Sequence, residues 1–246
     1  MRNRLDKLLF ERGLAPSRER AQALILAGRV LVNQQKVEKP GASVDDTAQL
    51  RVLGEEQRYV SRGGFKLEAA LDRWHIDLTA RHCADIGAST GGFTDCMLQH
   101  GAAGVVAVDT GYGQIAESLR RDPRVSLRER TNARYLKPGE LGPGISFVSM
   151  DVSFISATLV LPGVLAAVRE GGGRRVEAVI LVKPQFEAGR EHIGKGGIVT
   201  DPAAHQLAIE RVRAAAHDLG AAGSEVAESP IQGAKGNREF LLYSRF

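Results

Sequence analysis

Cysteine is nearly absent from this chain: Cys83 and Cys96 are the two among 246 residues, and they form no Cys-x-x-Cys pair. That excludes a disulfide scaffold or a zinc ribbon; no metal site is expected, and a reducing cytoplasm is the simple inference. Both thiols are expected to be structural. Long apolar runs are missing too. The most apolar stretch, Ala157 to Val168, is interrupted by Pro162 and Gly163 and is too short to span a bilayer. No apolar run resembling a secretory signal follows Met1–Lys7, so no stable membrane association is expected. With 43% hydrophobic and 25% charged residues, nothing in the composition signals disorder, and the length suits one large or two unequal domains. Excess charge is also scarce, at +4, but it is unevenly placed. Residues 1–62 hold 12 Lys/Arg against 8 Asp/Glu, whereas residues 63–246 hold 21 of each. The whole excess sits in the first quarter, the place for a nucleic-acid-binding appendage or for an uninvolved basic face.

The densest information lies between Cys83 and Asp109. A short apolar strand ends in Asp85 and breaks into Gly87-Ala88-Ser89-Thr90-Gly91-Gly92-Phe93, a helix-length segment follows, and Val105–Val108 leads to Asp109. A strand, a glycine turn, a helix and a second strand ending in an acid form the usual cradle for an adenosine-containing cofactor. Glycines allow close backbone approach, and Asp109 can accept hydrogen bonds from two ribose hydroxyls. The spacing Gly87-x-x-x-Gly91-Gly92 is not Gly-x-Gly-x-x-Gly, so a pyrophosphate ligand is disfavoured. S-adenosylmethionine, which has no phosphate, fits better. Asp85, Gly87, Ala88, Ser89, Gly91, Gly92, Phe93 and Asp109 are the expected cofactor residues, with Asp85 equally suited to anchoring the turn.

Leu5, Leu8 and Leu9 mark a first helix stopped by Gly13, and Ser17 caps a second that ends at Gly28. Val30–Asn33 reads as a strand, with a turn before Lys36-Val37. The run Arg4-Leu5-Asp6…Gly13…Ser17-Arg18…Ala21…Ile25…Gly28-x-Val30-x-Val32-Asn33 closely resembles the S4 RNA-binding domain over about fifty residues. The resemblance implies a small α+β RNA-binding module over residues 1–57, with Arg4, Arg18, Arg20 and Lys36 as its RNA contacts. Residues 58–64 read as a polar, glycine-ended linker. From residue 65 to 246 helices and strands alternate, which predicts an α/β domain whose mostly parallel sheet is covered on both faces. Strands are expected near 83–86, 104–108, 145–150 and 178–182, a weaker one near 125–128, and a closing antiparallel hairpin from 225–229 and 239–243. That is the architecture of class I methyltransferases.

Ligands of open α/β sheets bind beyond the carboxyl ends of the strands. Asp151 and Lys183 each follow a predicted parallel strand. Glu239 opens an antiparallel one, and Lys66 opens the helix that feeds the first strand. Topology thus carries four distant charged residues to one edge beside the glycine turn. The alternative is two surface ion pairs at strand ends. The set Lys66, Asp151, Lys183 and Glu239 with Asp-x-Gly-Ala-x-x-Gly-Gly-Phe resembles the FtsJ/RrmJ-type ribose 2′-O-methyltransferases. Ser61-Arg62-Gly63-Gly64-x-Lys66-Leu67, Val182–Glu187 and Gly194–Val199 together look like the TlyA, or hemolysin A, family.

This resemblance covers nearly the whole chain. It implies S-adenosylmethionine-dependent methylation of cytidine 2′-hydroxyls in ribosomal RNA, with ribosomal subunits as partners and the four charged residues as the catalytic set. A ribose hydroxyl is a weak acid and a poor nucleophile, so the protein must orient it and help remove its proton. Lys183 is the candidate: Lys66 and burial would favour the neutral amine that takes a proton, while Asp151 and Glu239 favour the ammonium that only steers. Phe154 and Phe186 fit core packing better than base stacking, and Lys195 suits a phosphate contact or plain solvation. Two rival readings are a membrane-active haemolysin, after the family's older name, and a non-catalytic RNA-binding assembly factor.

Overall fold

The computed structural model describes residues 2–53, 58–169 and 175–246. The chain divides into two compact units, residues 1–56 and 57–246.

In the first unit the elements are β1 (Arg2–Arg4), α1 (Leu5–Glu11), α2 (Arg18–Leu26), β2 (Val30–Val32), β3 (Gln35–Lys36), β4 (Ser43–Asp45) and β5 (Leu50–Val52). Ser17 caps α2 by accepting a hydrogen bond from the Arg20 backbone N–H at 3.2 Å, as its position before the apolar stripe predicted. The β2–β3 turn places both Asn33 and Gln34 at positive φ, the primed-turn geometry that matches strand twist. Leu5, Leu8 and Leu9 of α1 and Ala21, Leu24 and Ile25 of α2 meet Val30 and Val44 in one core. β1 pairs with β4, and β2 lies between β3 and β5, all antiparallel.

In the second unit α3 (Gly63–Trp74) is followed by β6 (His82–Ile86), α4 (Gly92–Gln99), β7 (Gly104–Val108), α5 (Glu117–Arg120), β8 (Val125–Arg128) and β9 (Ile145–Met150). Then come α6 (Ala157–Val168), β10 (Glu177–Val182), α7 (Pro184–Glu187), α8 (Pro202–Asp218), β11 (Ser224–Glu228) and β12 (Phe240–Arg245). The sheet order is β11-β12-β10-β9-β6-β7-β8. Strands β6 to β10 are mutually parallel, and β12 runs antiparallel between β10 and β11, so the predicted closing hairpin is present. Alternation of side chains along β10 divides the core: Val179 and Leu181 pack with Leu67, Ala70, Leu71, Phe93 and Met97 of α3 and α4. Ala178, Ile180 and Val182 pack on the other face, with Val160, Leu161 and Val164 of α6 and Ala208 and Val212 of α8. Pro162 does not break α6, which runs unbroken past it.

One expectation needs revision. The segment 58–64, read as a linker, packs into the second unit. Tyr59 is 1% exposed and meets Phe65 edge-on at a ring distance of 5.2 Å. The Val60 backbone N–H donates to Asp95 Oδ2 at 2.7 Å, and Gln99 Nε2 donates to the Arg58 carbonyl at 2.9 Å. Gly63 and Gly64 already belong to α3. A polar, glycine-rich composition suggested a linker, but one buried aromatic ring outweighs it. Removing that ring leaves a cavity, so Tyr59→Ala should cost the second unit about 3–5 kcal/mol in urea unfolding. A true linker position would change stability by less than about 0.5 kcal/mol.

Candidate active site

Parallel strands bring their ends to one edge, and register decides which residues stand level there. Ile86 pairs with Met150, so Gly87 and Asp151 leave the sheet side by side, and the Asp151 N–H donates to the Ile86 carbonyl at 2.8 Å. Val182 pairs with Phe240, which places Lys183 and Glu239 level across the antiparallel pair. Gly87 has φ +85°, and a Cβ there would lie 2.4 Å from the Asp151 carbonyl oxygen. Only glycine turns the chain at this point while touching the neighbouring strand end.

The four charged residues meet as two ion pairs. Lys66 Nζ lies 2.6 Å from Glu239 Oε2, with side chains only 11% and 3% exposed. Lys183 Nζ lies 2.5 Å from Asp151 Oδ1 and donates to Ser153 Oγ at 2.8 Å. They are not, however, equally placed. Lys66 and Asp151 line a cavity of about 320 Å³ together with Ser61, Arg62, Gly87 and Gln232. Lys183 and Glu239 are buried and are not among its lining residues. The pairs are therefore more enclosed than the surface ion pairs weighed as the alternative.

A second cavity, of about 380 Å³, shares Gly87, Ser89 and Asp151 with the first and opens along β7 and β9. Ile86, Val108 and Val160 provide apolar wall, and Asp109, Gln114 and Asn132 polar groups. Asp109 Oδ2 accepts from the Ser89 N–H at 2.8 Å and Oδ1 accepts from the Gly111 N–H at 2.6 Å. Each oxygen keeps a second lone pair, so the carboxylate is fixed in place yet still able to accept hydroxyl protons. Gly87, Ala88, Ser89, Gly92 and Phe93 all line one or both cavities. Gly91, at φ +94°, caps α4 instead.

Asp85 departs from the expected cofactor contact. It is fully buried and accepts from the Thr94 hydroxyl at 2.7 Å and the Ser149 hydroxyl at 3.0 Å, tying β6 to α4 and β9. Its alternate role, anchoring the turn, is the one the geometry supports. Phe154 also departs from its expected place in the core: it is 93% exposed at φ +65°, beside the second cavity, with its ring 5.6 Å from the half-buried Phe186. Lys195 is exposed on the turn Lys195–Gly197. In the first unit Arg4 and Arg18 converge on Asp6, whereas Lys36 pairs with Glu38 at 2.8 Å. Arg20 lies two residues from Arg18, about 200° around the helix.

Ser61 and Arg62 stand in the sequence only as part of a family motif with no role attached, and nothing in the sequence marks Ser153 or the stretch Ile231-Gln232-Gly233 for the site. Their position beside Lys66 and Asp151 is set by loops that carry no period. Glycine at 233 is required by the fold, because a Cβ there would fall 1.9 Å from Glu239 Oε1.

Burial raises the Asp85 carboxyl from 3.8 to about 6, the Asp151 charge adding to that push and the Thr94 and Ser149 hydroxyls opposing it. The native state thus holds this proton to higher pH than the unfolded chain. Its stabilising contribution is complete below about pH 4 and is lost as pH rises through about 6. Urea unfolding should show wild type losing on the order of 3 kcal/mol relative to Asp85→Asn between pH 4 and 7. A pH-independent difference would refute the burial account.

The profile of the FtsJ-like methyltransferase family matches residues 59–246, and that of the S4 domain matches residues 3–50. The chain is 45% identical to the 16S/23S rRNA (cytidine-2′-O)-methyltransferase TlyA of Mycobacterium tuberculosis, covering 99% of this chain and 90% of that protein. A solved chain from Streptococcus thermophilus, described as a candidate hemolysin, superposes with a TM-score of 0.73 at 46% identity, covering 99% of this chain and 88% of that one. An S-adenosylmethionine dependent methyltransferase from Mesorhizobium loti shares the fold, with a TM-score of 0.50 at 17% identity, covering 72% of this chain and 95% of that one. The chain is a methyltransferase that belongs to the FtsJ-like family, in its S4-bearing TlyA, or hemolysin A, branch.

Proposed function

We propose that this chain transfers the methyl group of S-adenosylmethionine to the ribose 2′-hydroxyl of a cytidine in ribosomal RNA. The observation that carries the reading is the pair of enclosed ion pairs, Lys66–Glu239 and Lys183–Asp151, beside a glycine turn. Two shared-wall cavities divide the work. The one along Val108 and Asp109 suits adenosine: apolar side chains for the base and a fixed carboxylate for the ribose. When bound there, the cofactor supplies an activated, electrophilic methyl group. The cavity bordered by Lys66 and Asp151 receives the RNA ribose, with Arg62 at its edge for a phosphate. The exposed ring of Phe154 offers a stacking face for the target base.

Within this reading Lys183, paired as an ammonium with Asp151 and donating to Ser153, orients the 2′-hydroxyl oxygen electrostatically and takes its proton only after giving up its own. Lys66 and Glu239 complete the wall on the other side. The four residues act as one unit, so single removals should be grossly non-additive. Arg4, Arg18, Arg20 and Lys36 of the first unit contact RNA phosphates, supplying affinity without reading sequence. Ribosomal subunits are the partners, and the cytoplasm is where they are met.

Labelled methyl transfer to ribosomal subunits, with the 2′-O-methyl position mapped, tests the reading directly; a methylated base would refute it. Under single-turnover conditions at saturating cofactor and RNA, Lys183→Ala should slow transfer by about 10²–10⁴ while both ligands still bind. A loss below about fivefold would remove Lys183 from the chemistry. Asp109→Ala should weaken cofactor binding about ten- to a hundredfold in calorimetric titration and leave RNA affinity unchanged. Asp109→Asn, which keeps one acceptor oxygen, should lie between.

A further inference from the structure

Inside the first unit one carboxylate has no share in the chemistry yet gathers more donors than any acid at the active site. Asp6 follows the first residue of α1 and is fully buried. Its Oδ1 accepts from Arg4 Nε at 3.0 Å and from the Lys7 N–H at 2.9 Å. Its Oδ2 accepts from Arg4 Nη2 at 2.9 Å, from Gln22 Nε2 at 2.8 Å and from Arg18 Nη2 at 3.3 Å. The donors come from β1, α1 and two turns of α2, segments that touch here through a single acid. Arginine hydrogen bonds hold the Asp6 carboxyl far below the usual carboxylate range despite its burial.

What this hub does to the two arginines is specific. Arg4 spends Nε and Nη2 on Asp6 in a two-pronged contact that does not use Nη1. Arg18 spends only Nη2. Their side chains remain 56% and 48% exposed. Because both terminal nitrogens rest on one oxygen, at 2.9 and 3.3 Å, they are held within about 6 Å of each other, the sum of those distances. Two guanidinium groups that close repel each other unless an anion lies between them. Asp6 supplies that anion from beneath, leaving the outward N–H groups to an anion from above. Lys36 instead pairs with Glu38 at 2.8 Å.

We propose that Asp6 is a positioning residue for RNA binding: it sets Arg4 and Arg18 as one fork that grips a single backbone phosphate. The inference rests on the RNA-substrate reading above and adds a buried acid to it. An acid within an RNA-binding face is otherwise unfavourable, since its charge opposes the phosphates. Here ordering the arginines outweighs that cost, because a fork already fixed loses less side-chain entropy on binding.

The two accounts of Asp6 differ in sign, which makes the test decisive. The full chain is titrated against a fluorescein-labelled ribosomal RNA transcript over a range of salt concentrations. If Asp6 merely subtracts charge, Asp6→Asn should bind more tightly and with a steeper salt dependence. If it positions the fork, Asp6→Asn should bind at least about fivefold more weakly, with a shallower salt dependence, despite its extra positive charge. The same substitution should then have no further effect in an Arg4→Ala/Arg18→Ala background. Circular dichroism checks that the variant folds. Should it not fold, Arg4→Lys keeps the charge but cannot make the two-pronged contact, and the same weakening is expected. Wild-type affinity in Arg4→Lys, or tighter binding by folded Asp6→Asn, would overturn the proposal. Wild-type protein that shows no salt-dependent RNA binding would instead overturn the reading on which it rests.

Discussion

The candidate active site hangs on the contact between Lys66 and Glu239. These residues stand 173 positions apart, one in the first helix of the second unit and the other just before its last strand. Both are largely buried, with only Lys66 reaching the cavity, so each charge needs the other; an unpaired charge at this depth would cost several kcal/mol. Such a pair adds little net stability once desolvation is counted. What it contributes is position, because the two ends of the unit must meet at one point for either charge to be tolerated. Gly233 shows how close the fit is: its missing side chain leaves just the space that Glu239 occupies. The loop carrying Ile231 and Gln232 lines the same cavity as the glycine turn.

Around that edge four acids perform different tasks because their surroundings differ. Asp85 is sealed under two hydroxyls and joins three elements behind the turn. Asp109 is half-buried on two backbone N–H groups and keeps lone pairs for a ligand. Asp151 meets a lysine at the cavity wall, and Glu239 meets one behind it. Chemically alike side chains are thus sorted into anchor, open acceptor and ion-pair partner by what each strand end lies against. The parallel sheet makes this possible by delivering several strand ends to one edge at fixed spacing.

Much of this was legible along the chain. Apolar-rich stretches placed the inner strands β7 and β9, and the alternation Val-Ser-Leu-Arg placed the edge strand β8, at the residues where they are found. The Ser17 cap and the glycine stops of the first unit were equally visible, being local in backbone chemistry. Charged residues following strand ends could be listed as convergent before any coordinates, because topology sends parallel strand ends to the same side. The misplacements share one cause. Tyr59, Phe154 and Asp85 are each read by residue type when only their neighbours decide: Phe65 and the backbone of Gly64 enclose Tyr59, nothing encloses Phe154, and Thr94 with Ser149 encloses Asp85.

Sequence by itself therefore determined the two-part organisation, the order of strands and helices, and which charged residues stand at the carboxyl edge. These follow from periods of 2 and 3.6 residues and from turn chemistry, all interactions of short range. Tertiary structure alone decided how the four charges divide into pairs, which two of them face a cavity, that residues 58–64 join the core, and that Asp6 gathers two arginines. Pairing and exposure depend on distances between segments tens to hundreds of residues apart, and burial is a property of what surrounds a residue rather than of the residue itself.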